Sequence, residues 1–510
     1  MSRRFLKSTL AVSAMTLISR ILGFVRDMLI ARFFGVDSAT DAFFVAFKIP
    51  NFLRRLFAEG AVAHAFVPIL EGYKKQGSHA GLKGFVDNVA GTLALVLMLI
   101  TLTGMVVAPL LIFLLAPGFA WQGAQHDLAV QLLQIALPYL LFIGLVALAG
   151  SVLNSYGQFA VPALTPALLN ICMIAAAIWL APLLSEPVAA LAWGVFIAGI
   201  IQVLCQLPAL ARLGLLPRLR VDFGDLGVRR LMSQLLPAIF SVSVTQINLL
   251  LDTLIASLLT VGSVSWLYYS DRLVEFPQGL LGVAIATVIL PRLAKDHAAD
   301  DPIAFSDALD WGLRLVLLVG MPATVGLLLL AEPMLSTLFQ YHEFGESDVQ
   351  LAGRSLKAYA VGLLGYLFVR VLVLGFTARQ DMKTPVRYGS YAMLASLVLN
   401  VLALPLAHAG LALATSLGAL FNAVLLLKKL RQEQVYRPVG GWRLFFLQVM
   451  LASSAMSAVL YYFVDVTEWG RWHSVERAVN LLAWILVGMA VYVLTLVLAG
   501  LKLRHLAMRA

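Results

Sequence analysis

The sequence predicts an all-α polytopic membrane protein with about fourteen transmembrane helices, arranged as two pseudo-symmetric six-helix lobes plus a C-terminal helix pair. Three observations predict it. Of 510 residues, 61% are hydrophobic and 13% charged, whereas a soluble domain carries about 25% charged residues. The mean hydropathy of +0.90 leaves no soluble fold of this size able to hide so much apolar surface. Apolar runs of roughly 20 residues, the length that crosses a hydrocarbon core, recur along the whole chain. Finally, the second half of the chain echoes the first.

Taken in order, the runs are 8–35, 40–72, 83–116, 127–153, 159–183, 187–212, 228–260, 263–293, 305–338, 349–378, 385–406, 409–430, 442–465 and 477–501. The start, Ser2-Arg3-Arg4 before an apolar stretch, has the look of a signal peptide. Arg20 interrupts the stretch and no small-residue cleavage site follows, so it reads as a retained first helix. The loops alternate in charge. One side carries Arg3, Arg4 and Lys7, then Lys74, Lys75 and Lys83, then Arg212 through Arg230, then Arg292 and Lys295. It continues with Arg379, Lys383 and Arg387, with Lys428 to Arg437, and with Lys502 and Arg504. The other side carries Asp37, the loop Pro117 to Asp127, Glu186, Glu343 to Asp348, Asp465, Glu468 and Glu476, alongside Arg471. Positive loops stay in the cytoplasm, so both termini are expected there and the number of spans is even.

The repeat is visible in paired prolines. Ala61 to Leu70 around Pro68 resembles Ala284 to Leu293 around Pro291, and Asn154 to Gln158 before Pro162 resembles Thr377 to Asp381 before Pro385. Both pairs share one offset (291 − 68 = 223 and 385 − 162 = 223). The expected division is 1–222, 223–432 and a helix pair in 433–510, with the polar segment Arg212 to Arg230 as linker. An even number of spans per half makes the repeats parallel.

Charge in the wrong place points to function. Arg20, Arg26, Lys48, Arg54, Arg55 and Arg272 lie in or beside apolar runs. Each costs about 2.5–3.5 kcal/mol at a helix centre on insertion scales. A water-filled cavity that receives an anionic substrate would offset that cost. Arg20 and Asp27 are seven residues apart and share a helix face, as do Lys48 and Arg55; Arg55 and Glu59 are four apart. Gly23 and Gly35 allow the first helix to bend or approach a neighbour. Asp41 suits a helix N-terminus, Pro50 removes a backbone donor from the second run, and Pro277-Gln-Gly279 is expected to interrupt the helix that carries Asp271, Arg272 and Glu275. Arg26 and Arg272, from opposite lobes, suit a phosphate because the guanidinium fork grips two oxygens. Asp27 and Glu275 would orient them. The structural alternative is a set of ion pairs or side chains snorkelling at helix ends, and for Arg314, beside Asp310, that alternative is preferred.

Asp252 has no opposite charge near it in sequence. A carboxylate at that depth is either protonated or coordinates a cation; Asn400, Thr253, Ser396 and Ser416 are further oxygen donors for a Na⁺ site. Asn170, Gln202, Gln246 and Asn248 read as links between helices. The net charge of +10 belongs to cytoplasmic loops and gives no reason to expect nucleic-acid binding. Cys172 and Cys205 make no disulfide framework, and the eight His include no zinc motif. With no Walker A motif, no nucleophile elbow and no room for a soluble catalytic domain, an enzyme is not expected, nor any cofactor. Transport would draw on Na⁺, H⁺ or the membrane potential.

Several of these stretches resemble the MurJ (MviN) lipid II flippase family of the multidrug/oligosaccharidyl-lipid/polysaccharide exporter superfamily. They are Arg20-Ile-Leu-Gly-Phe-Val-Arg-Asp27, Thr40 to Lys48, Pro50-Asn-Phe-Leu-Arg-Arg55, Phe57-Ala-Glu-Gly60, Gly262-Ser-Val-Ser-Trp266, Tyr269-Ser-Asp-Arg-Leu273 and Glu275-Phe-Pro277. The resemblance implies fourteen helices, with the last two forming a groove for a lipid tail. It also implies movement of lipid II, an undecaprenyl-pyrophosphate disaccharide pentapeptide, across the bacterial cytoplasmic membrane by alternating access. The family's functional positions fall on Arg20, Arg26, Asp27, Asp41, Lys48, Asn51, Arg54, Arg55, Ser265, Arg272 and Glu275. Asp252 resembles the acidic ligand of a Na⁺ site found in some members, whereas Asn400 lacks the carboxylate. Expected partners are lipid II, membrane lipids and cell-wall synthesis proteins. Other readings are a flippase for another polyprenyl-pyrophosphate glycan, a cation-coupled drug exporter, and a scaffold for wall-synthesis enzymes.

Overall fold

Helices make up the chain, and no strand forms among the described residues. The computed structural model describes residues 3–57, 62–75, 77–121 and 123–501, without the side chains of 3–11, 63–64, 121, 236–249, 283 and 466–467. Glu59, Gln246, Asn248, Lys502, Arg504 and the side chains of Arg3, Arg4 and Lys7 therefore lie outside the described residues.

Two compact units divide the chain at Ser265/Trp266. The first holds α1 (Arg3–Phe34), α2 (Ser38–Leu56), α3 (Val62–Lys75), α4 (His79–Val106), α5 (Ala108–Leu115), α6 (Gly123–Ala136), α7 (Tyr139–Ser155), α8 (Ala160–Ala175), α9 (Ala189–Arg212) and α10 (Leu226–Ser257). In it α8 packs on α1 and α9, α6 on α2, α7 on α9, and α10 against α2, α3 and α4. Helix α11 (Ser263–Ala298) begins there and continues into the second unit. The second unit then carries α12 (Pro302–Leu329), α13 (Ala331–Phe339), α14 (Glu346–Thr377), α15 (Lys383–Leu402), α16 (Ala407–Gln432), α17 (Trp442–Phe463), α18 (Val466–Trp469) and α19 (Ser474–Leu498). Here α14 is the hub, packed on α16 and α12, while α17 and α19 pair with each other and lean on α12 and α13. The linker expected at Arg212 to Arg230 is a non-helical strap over residues 213–225, but α10 beyond it packs with the first unit.

Helix starts follow capping chemistry. The side chains of Asp37, Ser78, Asp225 and Asp301 each accept from a backbone N–H in the first turn of α2, α4, α10 and α12, which satisfies donors with no intrahelical partner. Gly35, at φ 63°, turns the chain out of α1 in a conformation that favours glycine.

The 223-residue offset recurs in the backbone. The α4–α5 break at Val107 matches the α12–α13 break at Leu330, and the first residues of α8 and α15, Ala160 and Lys383, match likewise. So do the positive φ angles of Gly157 and Gln380.

Among the described residues, the expected runs lie on helix apart from short breaks such as those at 107, 137–138 and 330; residues 58–61 of the run 40–72 lie outside the described residues. Among the described residues, ten helices are long and apolar enough to cross a membrane. The runs 8–35, 40–72, 228–260 and 385–406 are not among them. The first three carry the charged positions singled out above, and Lys383 and Arg387 stand at the start of the fourth. The interruption expected at Pro277-Gln-Gly279 does not occur, and Pro50 costs α2 a donor without ending it. Helix α2 continues through Pro50 to Leu56, and α11 continues through Pro277 and Pro291. A proline removes one donor, and a long helix in a packed bundle tolerates that loss.

Candidate functional site

The charged side chains sort into three local settings. On α1, Arg26 and Asp27 are buried, at 5% and 2% exposure. Adjacent residues diverge around a helix, so the pair meets because the Arg26 guanidinium folds back. Its Nε donates to Asp27 Oδ1 at 2.9 Å and its Nη2 to the same oxygen at 2.6 Å. Its Nη1 donates to Asn170 Oδ1 of α8 at 3.0 Å, and Asn170 Nδ2 returns to the Ser19 carbonyl of α1 at 3.0 Å. Gly23 leaves the room, since a Cβ there would meet Asn170 Nδ2 at 3.4 Å. Asn170 is thus a link between helices, as its isolation in an apolar run suggested. Arg20, two turns before Asp27 on the same face, is exposed.

On α2 the settings change along the helix. Asp41, in the first turn, is 2% exposed. Its Oδ2 accepts from Gly262 N at 2.7 Å; its Oδ1 accepts from Ser265 N at 2.9 Å and Ser265 Oγ at 2.5 Å. One carboxylate therefore satisfies orphan donors at the start of α11, in the manner of an N-cap supplied by another helix. Gly262 adopts φ 94°, which aims its N–H at Asp41. Further along, Lys48, Asn51, Arg54 and Arg55 are half-buried. Asn51 Oδ1 accepts from Arg54 Nε at 3.2 Å and Nη2 at 3.0 Å, one turn apart. The Glu59 expected opposite Arg55 lies outside the described residues.

On α11, Ser265 is fully buried by its bond to Asp41. Arg272 remains accessible, with its side chain 26% exposed. Its Nη1 donates to Glu275 Oε2 at 2.7 Å, its Nη2 to Tyr268 Oη at 3.2 Å, and the guanidinium lies 5.1 Å from the Tyr268 ring centre. The pair follows the i, i+3 spacing of one helix face. Arg272 is accordingly a poised cation, oriented by a carboxylate and an aromatic ring and only partly buried.

The residues expected to form an ion site lie on several helices. Asp252 is half-buried on α10 and Asn400 fully buried on α15. Ser416 donates to the Ala358 carbonyl at 2.8 Å. No group of three His, Cys, Asp or Glu side chains gathers as metal ligands among the described residues.

Other polar groups escaped the sequence reading. Trp266 Nε1 donates to Asp348 Oδ1 at 2.9 Å, and Ser355 Oγ lies 2.6 Å from His408 Nδ1. Arg477, 8% exposed, donates to the carbonyls of Trp472, Ser336, Gln340 and Gly470. Their signal in sequence is only a polar residue in an apolar run. Arg314 takes the structural role expected of it, with its Nε 2.7 Å from Asp310 Oδ2.

Ten long apolar helices among the described residues, with charge buried in and beside them, fit a multi-pass membrane transporter, and solved structures share the fold. An inward-facing multidrug resistance transporter of the MATE family, in the MOP superfamily, shares the fold with TM-score 0.68 over 83% of this chain and 98% of that one, at 13% identity. A structure described as lipid II flippase MurJ in an inward closed conformation matches with TM-score 0.80 at 28% identity, covering 95% of this chain and 97% of that one. The family model described as lipid II flippase MurJ matches residues 30–482. A probable lipid II flippase MurJ from Haemophilus influenzae is 44% identical over 96% of this chain and 99% of its own length. A lipid II flippase MurJ from Burkholderia cenocepacia is 40% identical over 99% of both. The chain belongs to the MurJ lipid II flippase family.

Proposed function

We propose that the protein carries lipid II from the inner to the outer leaflet of the bacterial cytoplasmic membrane, for peptidoglycan synthesis. The observation that carries this reading is the poised Arg272, a cation retained in an apolar helix with its side chain 26% exposed. Family membership supplies the substrate, and a diphosphate is the part of lipid II that such a fork recognises. Lys48, Arg54 and Arg55, half-buried on α2, are further cations suited to neutralising a headgroup. Arg26 acts differently: held by Asp27 and Asn170, it fixes α1 against α8 and meets substrate only if α1 shifts.

In this reading the chain has fourteen spans with both termini in the cytoplasm, because Lys and Arg gather in alternate loops. The polyprenyl tail lies along α17 and α19. Neutralising the cations favours closure, since like charges resist approach, and the two units alternate in access. Asp252 with Asn400 is the place to seek Na⁺ or H⁺ coupling; the membrane potential is the other source of drive, at about 2.3 kcal/mol per charge per 100 mV. Cell-wall synthesis proteins are the expected neighbours.

Depletion tests the reading in cells. Lipid II should accumulate on the inner leaflet and cells should lose shape and lyse. Unchanged outer-leaflet lipid II after full depletion would refute it, and accumulation of a different polyprenyl-linked glycan would reassign the substrate.

A further inference from the structure

The repeat offset brings two aspartates into register, Asp87 on α4 and Asp310 on α12 (310 − 87 = 223). They are 4% and 3% exposed, each in a helix of membrane-spanning length. Each holds the strap that follows the last helix of its repeat. In the first unit, the strap is residues 213–225, between α9 and α10. Asp87 Oδ1 accepts from Arg218 N at 2.7 Å and from the Lys83 ammonium, the Asp87 carbonyl accepts from Arg220 N at 3.3 Å, and Thr92 Oγ1 accepts from Asp222 N at 3.2 Å. In the second, the strap is residues 433–441, between α16 and α17. Asp310 Oδ1 accepts from Val439 N at 3.2 Å, Tyr436 Oη at 2.8 Å and Trp442 Nε1 at 2.6 Å. Asp310 Oδ2 accepts from Arg314 Nε at 2.7 Å.

Positions one turn to either side also correspond. Lys83 matches Ser306, whose Oγ accepts from Arg437 N at 2.9 Å and donates to Arg437 O at 3.1 Å. Gly91 matches Arg314. At Gly91 a Cβ would come within 2.2 Å of the Arg220 carbonyl oxygen, so the first strap lies directly on α4. At Arg314 a guanidinium takes that space. Its Nη2 reaches the carbonyls of Val439 and Gly440 at 3.2 and 3.0 Å, and it stacks 5.0 Å from the Trp442 ring.

The two anchors differ in what they grip. Asp87 holds only backbone of its strap. Asp310 holds Trp442, the first residue of α17, by its indole N–H. Gly441, at φ 88°, is the turn immediately before it. A bond to that side chain fixes both the direction and the rotation of α17. The outer faces of α17 and α19 are bare, with Leu447, Leu451, Leu482 and Leu486 each more than half exposed. The pair buries only its inner face, where Val449, Ala452, Met456 and Tyr492 join Leu317 of α12. Its pose therefore depends on how α17 enters.

We infer that Asp310 is a positioning residue for transport: it sets the angle of the α17–α19 pair and so aligns the surface that carries the substrate's polyprenyl tail. This extends the lipid II reading above and rests on it.

The test compares lipid II carrying its full undecaprenyl chain with an analogue carrying a ten-carbon chain, moved by purified full-length protein in liposomes. Asp310→Asn keeps the volume but loses the charge on which four donors converge. Trp442→Phe keeps the ring but loses one donor, and serves if the first variant does not fold. The expected result is a loss of about tenfold for the long-chain substrate, the size of one charge-assisted hydrogen bond, with less than a twofold loss for the short one. Spin labels on α12 and α17 should show a broadened distance distribution in the same variants. Asp87→Asn should leave the long-to-short ratio unchanged, because its strap leads to α10. Equal losses for both substrates, or an unbroadened distance in a variant that has lost transport, would overturn the inference. If wild-type protein moves neither substrate, the lipid II reading fails instead, and the spin-label distances still decide whether Asp310 sets the pair.

Discussion

The carboxylate of Asp41 joins the start of α2 to the start of α11 by taking both the N–H and the hydroxyl of Ser265, with Gly262 N on its other oxygen. Asn in place of Asp41 would turn one NH₂ toward a donor. Asp41→Asn should therefore destabilise the protein by about 2–3 kcal/mol, and Ser265→Ala by about 1 kcal/mol. Because the residues touch, the double variant should cost less than the sum. Thermal unfolding in detergent measures all three. An equal loss for the two single variants would show that Asp41 gains nothing from the backbone donors.

Arg26 is expected to report on folding more than on transport. Removing it leaves Asp27 buried without its guanidinium, a situation that costs about 3–5 kcal/mol. Arg26→Ala should lower the melting temperature strongly, and adding Asp27→Ala should recover part of the loss. Asn170→Ala should fall between. A wild-type melting curve for Arg26→Ala with transport abolished would place Arg26 on the substrate instead.

Glu275 orients Arg272 and, by pairing with it, also competes with substrate for the guanidinium. The pair is partly exposed, at 26% and 38% of the two side chains, so breaking it changes stability little. Glu275→Gln should raise apparent affinity for lipid II about two- to fivefold, the worth of a partly exposed ion pair. Substrate titration of the flipping rate reads this. A lowered affinity would mean that Glu275 contacts the substrate directly.

Acid should loosen the strap after α16. Burial pushes the Glu433 carboxyl up, but bonds from Arg379 and Lys429 outweigh it and hold the group below its ordinary value of 4.5. A depressed carboxylate stabilises the fold above its unfolded value and loses that contribution as pH falls through the folded one. Stability of the wild type should therefore decline below about pH 4.5 more steeply than that of Glu433→Gln. Identical slopes in acid unfolding would remove Glu433 from the pH response.

The architecture was legible because hydrophobic length and loop charge are local signals. Among the described residues the expected runs lie largely on helix, and the offset read from Pro68 and Pro291 recurs in backbone breaks and in the Asp87–Asp310 pair. The break expected at Pro277 was misjudged, since the strength of a helix at a proline depends on neighbours that the sequence does not display. Partnerships were less legible. Arg26 and Arg272 look alike as isolated arginines in apolar runs, yet one is enclosed by Asn170, 144 residues away, and the other is partnered along its own helix and only partly buried. Asp310 was assigned to Arg314 correctly, but the convergence of Tyr436, Val439 and Trp442 on it depends on how the strap folds back.

Purified protein in liposomes with fluorescent lipid II, wild type against Arg272→Ala, is the most direct measurement. Substrate should become accessible in the opposite leaflet with wild-type protein, and Arg272→Ala should stop this while melting and inserting normally. Undiminished flipping by Arg272→Ala, or none by an intact wild type, would contradict the assignment of this chain as a lipid II flippase working through that cation.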